Sequence, residues 1–178
     1  GQADGFVIKM DTSGQRVWAT YIGGSSSERL YDIGLMITGD VVIVGSTFSI
    51  DYPITNDALQ SNHAVGSLDA IYSRLSPNGA LVYSTYIGGM SEDILHCCAV
   101  DNNDNIVLAG GSGSGYPVTA GAYQVTNKGT DAIITVFSSN NTLLWSTFLG
   151  GYGNGEGARG VTTFAGNIFV VGEYAGWD

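Results

Sequence analysis

"GALVYSTYIGG" occupies Gly79–Gly89, and its last five residues recur: "TYIGG" at Thr20–Gly24 and again at Thr85–Gly89, "TFLGG" at Thr147–Gly151. The copies lie 65 and 62 residues apart, and other positions keep the same two offsets. Asp4, Asp69 and Asp131 each open a short apolar run, "DGFVIKM", "DAIYSRL" and "DAIITVF". Gly45, Gly110 and Gly172 each close a β-branched one. A fixed period of this length is the mark of a repeat architecture, in which each unit buries its apolar faces against its neighbours.

Turn chemistry divides each repeat into four strands. "SPNG" joins "DAIYSRL" to "ALVYSTYIG", with Pro77 suited to the second position of a turn and Gly79 free to take positive φ. Its counterparts are "DTSGQ", with Gly14, and "SSNNT", where Asn141 stands in place of glycine and is the non-Gly residue that best tolerates the left-handed region. A second hairpin joins Leu30–Ile37 to Val41–Gly45, Ile94–Val100 to Ile106–Gly110, and Ala158–Thr163 to Ile168–Gly172. Its second strand, "VVIV", "IVLA" or "IFVV", is apolar without alternation, which predicts burial on both faces. The linking stretches Tyr52–Gln60 and Tyr116–Gln124 are the only candidates for a turn of helix, after Pro53 and Pro117.

The expected fold is therefore all-β, a β-propeller segment of about three four-stranded blade equivalents within one domain spanning 1–178: a half blade at 4–22, blades at 30–87 and 94–149, and a half blade at 158–173. A ring of three lies outside the usual four to eight blades, so the expectation is of further blades in a longer parent chain or association with other copies. The opening "GQADG" without Met fits the first of these.

Composition narrows the function classes. The 178 residues are 44% hydrophobic and 12% charged, as in a folded domain. The net charge of -10 disfavours nucleic acid and anionic membrane surfaces as partners, and no apolar run is long enough for membrane insertion as a helix. Cys97 and Cys98 are adjacent and cannot staple distant segments; they read as two buried small residues, with a vicinal disulfide as the alternative.

The run "VVIVGSTFSIDYPITNDALQ" (Val41–Gln60) with "GSLDAIYSRLSPNGALVYSTYIGG" (Gly66–Gly89), continued by "SEDILHCCAVDNNDNIVLAGGSGSGYPVTAGAYQ" (Ser91–Gln124) and "GTDAIITVF" (Gly129–Phe137), resembles the bacterial β-propeller repeat family known as SBBP repeats. The third copy departs from that pattern in "GYGNGEGARGVTTFAGN", which lacks the "AVD" triplet. The resemblance implies a propeller in a large secreted or cell-surface bacterial protein, extracellular in location, and brings no catalytic residues with it.

The repeated positions Thr20, Thr85, Thr147, Gly24, Gly89, Gly151 and the three aspartates read as architecture, since every copy must present the same surface to the next. The loops between repeats place Glu28, Glu92 with Asp93, and Glu156 at corresponding points, where solvated acidic side chains would suit Ca²⁺ or a cationic partner. "DNNDN" begins like a calcium loop with Asp101, Asn103 and Asn105, but Ile106 and Ser112 stand where that loop needs Gly and Glu, so it reads as a hairpin turn. "GGSGSG" (Gly110–Gly115) follows a strand as a phosphate loop does, yet no helix or Lys-Ser/Thr pair follows. His63 and His96 are the only histidines, and His96 with Cys98 on one strand face is the only nucleophile–base pairing on offer.

The functional expectation is a non-enzymatic extracellular scaffold or adhesion module for a protein or glycan partner, without a required cofactor. The alternatives are a polysaccharide-active enzyme with its site at the propeller channel, a hydrolase or lyase, and a calcium-stabilised structural repeat.

Overall fold

The computed structural model describes residues 2–64 and 68–175. It is all-β, with twelve antiparallel strands in four sheets and one further two-residue strand. Strands β1 (Gly5–Met10) and β2 (Arg16–Ile22) form the first sheet. β3 (Glu28–Leu35), β4 (Val41–Thr47), β5 (Asp69–Leu75) and β6 (Leu81–Ile87) form the second, in the order β3-β4-β5-β6. β7 (Ile94–Val100), β8 (Ile106–Ser112), β9 (Gly129–Phe137) and β10 (Leu143–Leu149) repeat that order in the third. The short β11 (Gly153–Asn154) lies parallel to β9, and β12 (Gly157–Phe164) with β13 (Asn167–Glu173) forms the fourth sheet.

The hairpin turns follow the local chemistry. Gly14, Gly79 and Asn141 take φ of 83°, 85° and 64°, so three different sequences meet one backbone demand. In the second hairpin Gly39 and Asp104 are left-handed, and Asp104 lies inside "DNNDN".

Consecutive sheets pack face to face. Val7 of β1 meets Val41, Ile43 and Leu75 of the second sheet. The largest core joins the second and third sheets, with Val42, Val44 and Tyr72 on one side and Leu95, Ile106 and Leu108 on the other. Cys97, Ala109 and Ala132 meet Ala158, Val161 and Val170 of the fourth. β4 and β8 are buried on both faces, as their uninterrupted apolar runs predict. β13 differs: its run is as apolar, but one of its faces has no sheet over it, and Phe169 and Val171 are exposed.

The linking stretches are not helical. Residues 52–60 lie along β6, where the Thr55 N–H donates to the Ser84 carbonyl and the Tyr86 N–H to the Gln60 carbonyl, and residues 116–124 repeat this against β10 through Thr119, Ser146, Gln124 and Phe148. Each stretch closes a single turn of its own, with the Ala58 N–H donating to the Thr55 carbonyl and the Ala122 N–H to the Thr119 carbonyl, and the bonds to the neighbouring strand on either side keep it from going further.

Candidate functional site

Two kinds of position converge at the ends of the sheets: those whose identity repeats, and those whose geometry repeats while the residue changes. The repeated kind is internal. The Gln60 N–H donates to Thr85 Oγ1 at 2.9 Å, and that hydroxyl donates onward to the Tyr86 carbonyl at 2.7 Å. Gln124, Thr147 and Phe148 make the same pair of bonds at 2.9 Å each. The side chains of Gln60 and Gln124 then bridge, accepting from Gly88 and Gly150 N–H and donating to Asp69 and Asp131. These two glutamines were not singled out from the sequence, although both close a "YP…Q" stretch. Asp69 Oδ2 also accepts from the Ala64 N–H, and Asp131 Oδ2 from the Lys128 N–H. Asp4, without a described linking stretch before it, is exposed.

The glycine pairs have a steric reason. A Cβ on Gly88 would lie 2.8 Å from the Asp69 carboxyl carbon, and one on Gly150 2.6 Å from that of Asp131. One on Gly89 would lie 2.4 Å from the Gly115 backbone, and one on Gly24 2.5 Å from Asp51. At Gly151 the near neighbour is the Tyr174 hydroxyl.

The acidic loop residues are placed differently from the solvated loops expected of them. Glu92 is exposed, while Glu28, Asp93 and Glu156 are buried. Glu28 accepts from the Gly24 N–H at 3.1 Å and from the hydroxyls of Thr47 and Ser49 at 2.6 and 2.5 Å. Asp93 accepts from the Gly89 N–H at 2.7 Å and from the Ser112 hydroxyl. Each carboxylate ties the end of one repeat to the second strand of the next, and period-2 reasoning on an irregular loop gave no sign of this inward turn. Burial, with the nearby Asp69 carboxylate as a smaller contribution, raises Asp93 to about 6. Asp69 is raised by burial too. Glu156 has no hydrogen-bond partner for either oxygen among the described residues; Tyr174 stands where the other copies carry Thr47 and Ser112.

Asp101 closes its own turn. Its Oδ1 accepts from the Asn103 and Asn105 N–H at 2.8 Å each, and its Oδ2 from the Asn105 side chain at 2.9 Å, which holds its carboxyl below the usual range despite slight burial. The described residues bring no three His, Cys, Asp or Glu side chains into metal-binding proximity.

The second kind of position comes from bulges. The first strand of the second, third and fourth sheets slips register at one place, between Leu30 and Asp32, Leu95 and Cys97, and Ala158 and Gly160. Opposite each bulge sits Gly45, Gly110 or Gly172, where a Cβ would fall 2.1, 1.9 or 2.3 Å from a carbonyl oxygen of the bulged strand. The extra residues are Tyr31, His96 and Arg159, and a bulge re-aims the side chain it carries. They form one row across three sheets. The Tyr31 and His96 rings meet edge to face at 5.3 Å, and Arg159 Nη1 donates to His96 Nε2. That donation leaves the imidazole proton on Nδ1. Burial, then the guanidinium, lowers the His96 pKa, so the ring is neutral at pH 7. Arg159 also bonds Glu173 at 3.3 Å.

Beside the row lies a groove of about 310 Å³ between the third and fourth sheets, lined by Ser91, Glu92, His96, Thr130, Glu156 and Arg159 among others. The bulge also bears on the cysteines. Cys97 packs toward the fourth sheet and Cys98 toward the second; both are free and buried, and burial raises the Cys97 thiol to about 11. No protein-family model matches this chain, and no curated protein matches it.

Proposed function

We propose that the chain is a β-propeller segment of the SBBP-repeat kind, acting as a non-enzymatic extracellular scaffold or adhesion module that binds a glycan along the row Tyr31–His96–Arg159. The propeller reading is supported by two complete four-stranded meanders of identical order, each stacked on the next through equivalent faces. The observation that carries the functional reading is the row itself: one bulge geometry written three times with three different side chains, in a frame whose repeated polar groups are spent on each other. A polyhydroxylated ring wants aromatic faces, donors and acceptors together. Tyr31 supplies the face, Arg159 and His96 Nδ1 supply donors, and the exposed Glu92 carboxylate lines the groove beside them as an acceptor.

The reading as a polysaccharide-active enzyme draws little support from the carboxylates that flank the repeated glycines. Asp69 and Asp93 beside Gly88 are both fully buried by the surrounding chain, beyond the reach of a substrate, and of Asp4 and Glu28 beside Gly23 only Asp4 is exposed. The calcium-stabilised reading finds Glu28, Asp93 and Asp101 already accepting hydrogen bonds from their own neighbours.

The test is binding of the protein to an immobilised panel of neutral and acidic oligosaccharides. Binding to a subset of the panel that falls at least tenfold in Arg159→Ala and in Tyr31→Ala supports the proposal. Absence of binding, or binding indifferent to both substitutions, overturns it.

A further inference from the structure

The third repeat carries three side chains that the other copies lack at the same places. Tyr123 stands in "YPVTAGAYQ" where the second repeat has Leu59, and Tyr152 follows the glycine pair where the other copies have Ser25 and Met90. Lys128 gives its backbone N–H to Asp131 as Ala64 gives its own to Asp69, so a lysine stands where the second repeat has a methyl group. The fold gathers the three. The Lys128 ammonium lies over the Tyr152 ring, 5.1 Å from its centroid, and Tyr123 and Lys128 line one pocket of about 380 Å³ with Gln124, Leu149, Gly150 and Tyr174. None of these residues lines the groove beside Tyr31, His96 and Arg159.

Charge and exposure both mark this pocket. The chain has 6 basic residues against 16 acidic ones, yet among the described residues Lys128 forms no ion pair, and its ammonium is met by a ring instead. Asp131, three residues on, is fully buried, and its Oδ2 accepts from the Lys128 N–H and the Gln124 side chain. The lining of the pocket therefore holds one cation and no carboxylate. Tyr123 and Tyr152 are 85% and 69% exposed, which leaves aromatic faces in water beside that cation. This place stays open where a further repeat follows: Leu59 and Met90 are 43% and 68% exposed, although the third sheet packs against the second.

We infer that this pocket is a second binding site, specific to the third repeat, for a sugar ring that bears an anionic group, a carboxylate or a sulfate. Tyr123 lies against the apolar face of the ring, and Lys128 takes the anion. Tyr152 holds the ammonium of a long and flexible side chain in place, so less freedom is lost when the ligand arrives. The volume is that of a small-ligand pocket. The net charge of the chain does not forbid an anion here, because exposed carboxylates more than about 10 Å away are screened at physiological salt.

The experiment is calorimetric titration with three probes: an oligogalacturonate, its methyl ester, and a sulfated galactose oligomer. At least one of the two acidic probes is expected to bind and the ester is not, and the one that binds names the anion. Its affinity is expected to fall about tenfold in Lys128→Ala and in Tyr123→Ala and to be kept in Lys128→Arg. Both positions are exposed, so the β signal in circular dichroism is expected to persist in every variant. Binding of neither acidic probe, equal binding of the ester, or an affinity indifferent to Lys128→Ala overturns the inference. Neutral oligosaccharides report on the row alone, and Arg159→Ala separates the two sites. Acidic-probe binding that survives Arg159→Ala supports this pocket whatever becomes of the row. Loss in Arg159→Ala with retention in Lys128→Ala would set the acidic sugar on the row, overturning this inference and leaving the functional proposal standing.

Discussion

At the scale of the residue, the recurrence of "T[YF][IL]GG" is explained by bonds that the strand pattern alone does not show. Alternation placed Thr85 on a strand face. It did not show that the hydroxyl takes the Gln60 N–H, because the partner comes from an irregular stretch 25 residues away. Thr85→Val leaves that half-buried N–H without its acceptor and is expected to cost about 1–2 kcal/mol in denaturant unfolding. Thr20, whose hydroxyl among the described residues bonds the neighbouring Tyr21 carbonyl at an exposed position, provides the contrast: Thr20→Val is expected to change stability by less than about 0.5 kcal/mol. The acidic loops were legible as recurring positions and not as buried ones, since burial there depends on hydroxyls supplied by the next strand.

Asp93 makes a prediction about pH at the same scale. Its folded-state pKa, near 6, lies above the value of about 4 for an exposed Asp, so the folded state binds the proton more tightly than the unfolded chain. Stability therefore falls as pH rises through this window, and Asp69, raised in the same direction, adds to the trend. The carboxyls of Asp11, Asp51 and Asp101 are lowered instead, and what they contribute is lost only as pH falls below about 4. The expected melting temperature thus rises from pH 7 to pH 5 in the wild type, and Asp93→Asn flattens that rise. A melting temperature that falls over the same interval would contradict the burial of Asp93.

At the scale of the element, the decisive feature is the bulge in the first strand of each sheet. The glycine opposite it was visible in the sequence as a regular position closing an apolar run. The reason for it was not, because a bulge is a register slip between two strands and leaves no mark in either one read alone. Gly110→Ala would drive a Cβ into the Ile94 carbonyl and is expected to cost about 1–3 kcal/mol while shifting the His96 ring signals in NMR. An unchanged His96 environment would show that the glycine does not set the bulge. The hairpins were more legible, since positive φ at Gly14, Gly79 and Asn141 follows from residue chemistry that can be read locally. Pro53 and Pro117 mark the linking stretches as candidates for a turn of helix, and each does close one turn, but β6 and β10 alongside take the flanking backbone groups and no helix forms.

At the scale of the whole molecule, the period of the sequence carried most of the fold: four sheets, two of them complete, follow from where the turns and apolar runs recur. The candidate site was far less legible. His96 was noted beside the cysteines, while Tyr31 and Arg159 drew no attention, since nothing in their sequence neighbourhoods marks them as equivalent until the bulges align them. With the acidic groups of Glu28, Asp93 and Asp101 engaged by the chain itself, a chelator is expected to leave the melting temperature unchanged, and a drop of several degrees reversed by Ca²⁺ would restore the calcium-stabilised reading.

The central claim is that the repeated residues build the frame and the copy-variable row does the recognising. The measurement that tests it most directly is oligosaccharide binding by Arg159→Ala and Thr85→Val on one panel, at a temperature where both are folded. The account predicts that Arg159→Ala loses binding by at least tenfold and that Thr85→Val keeps it; retention by the first with loss by the second would contradict it.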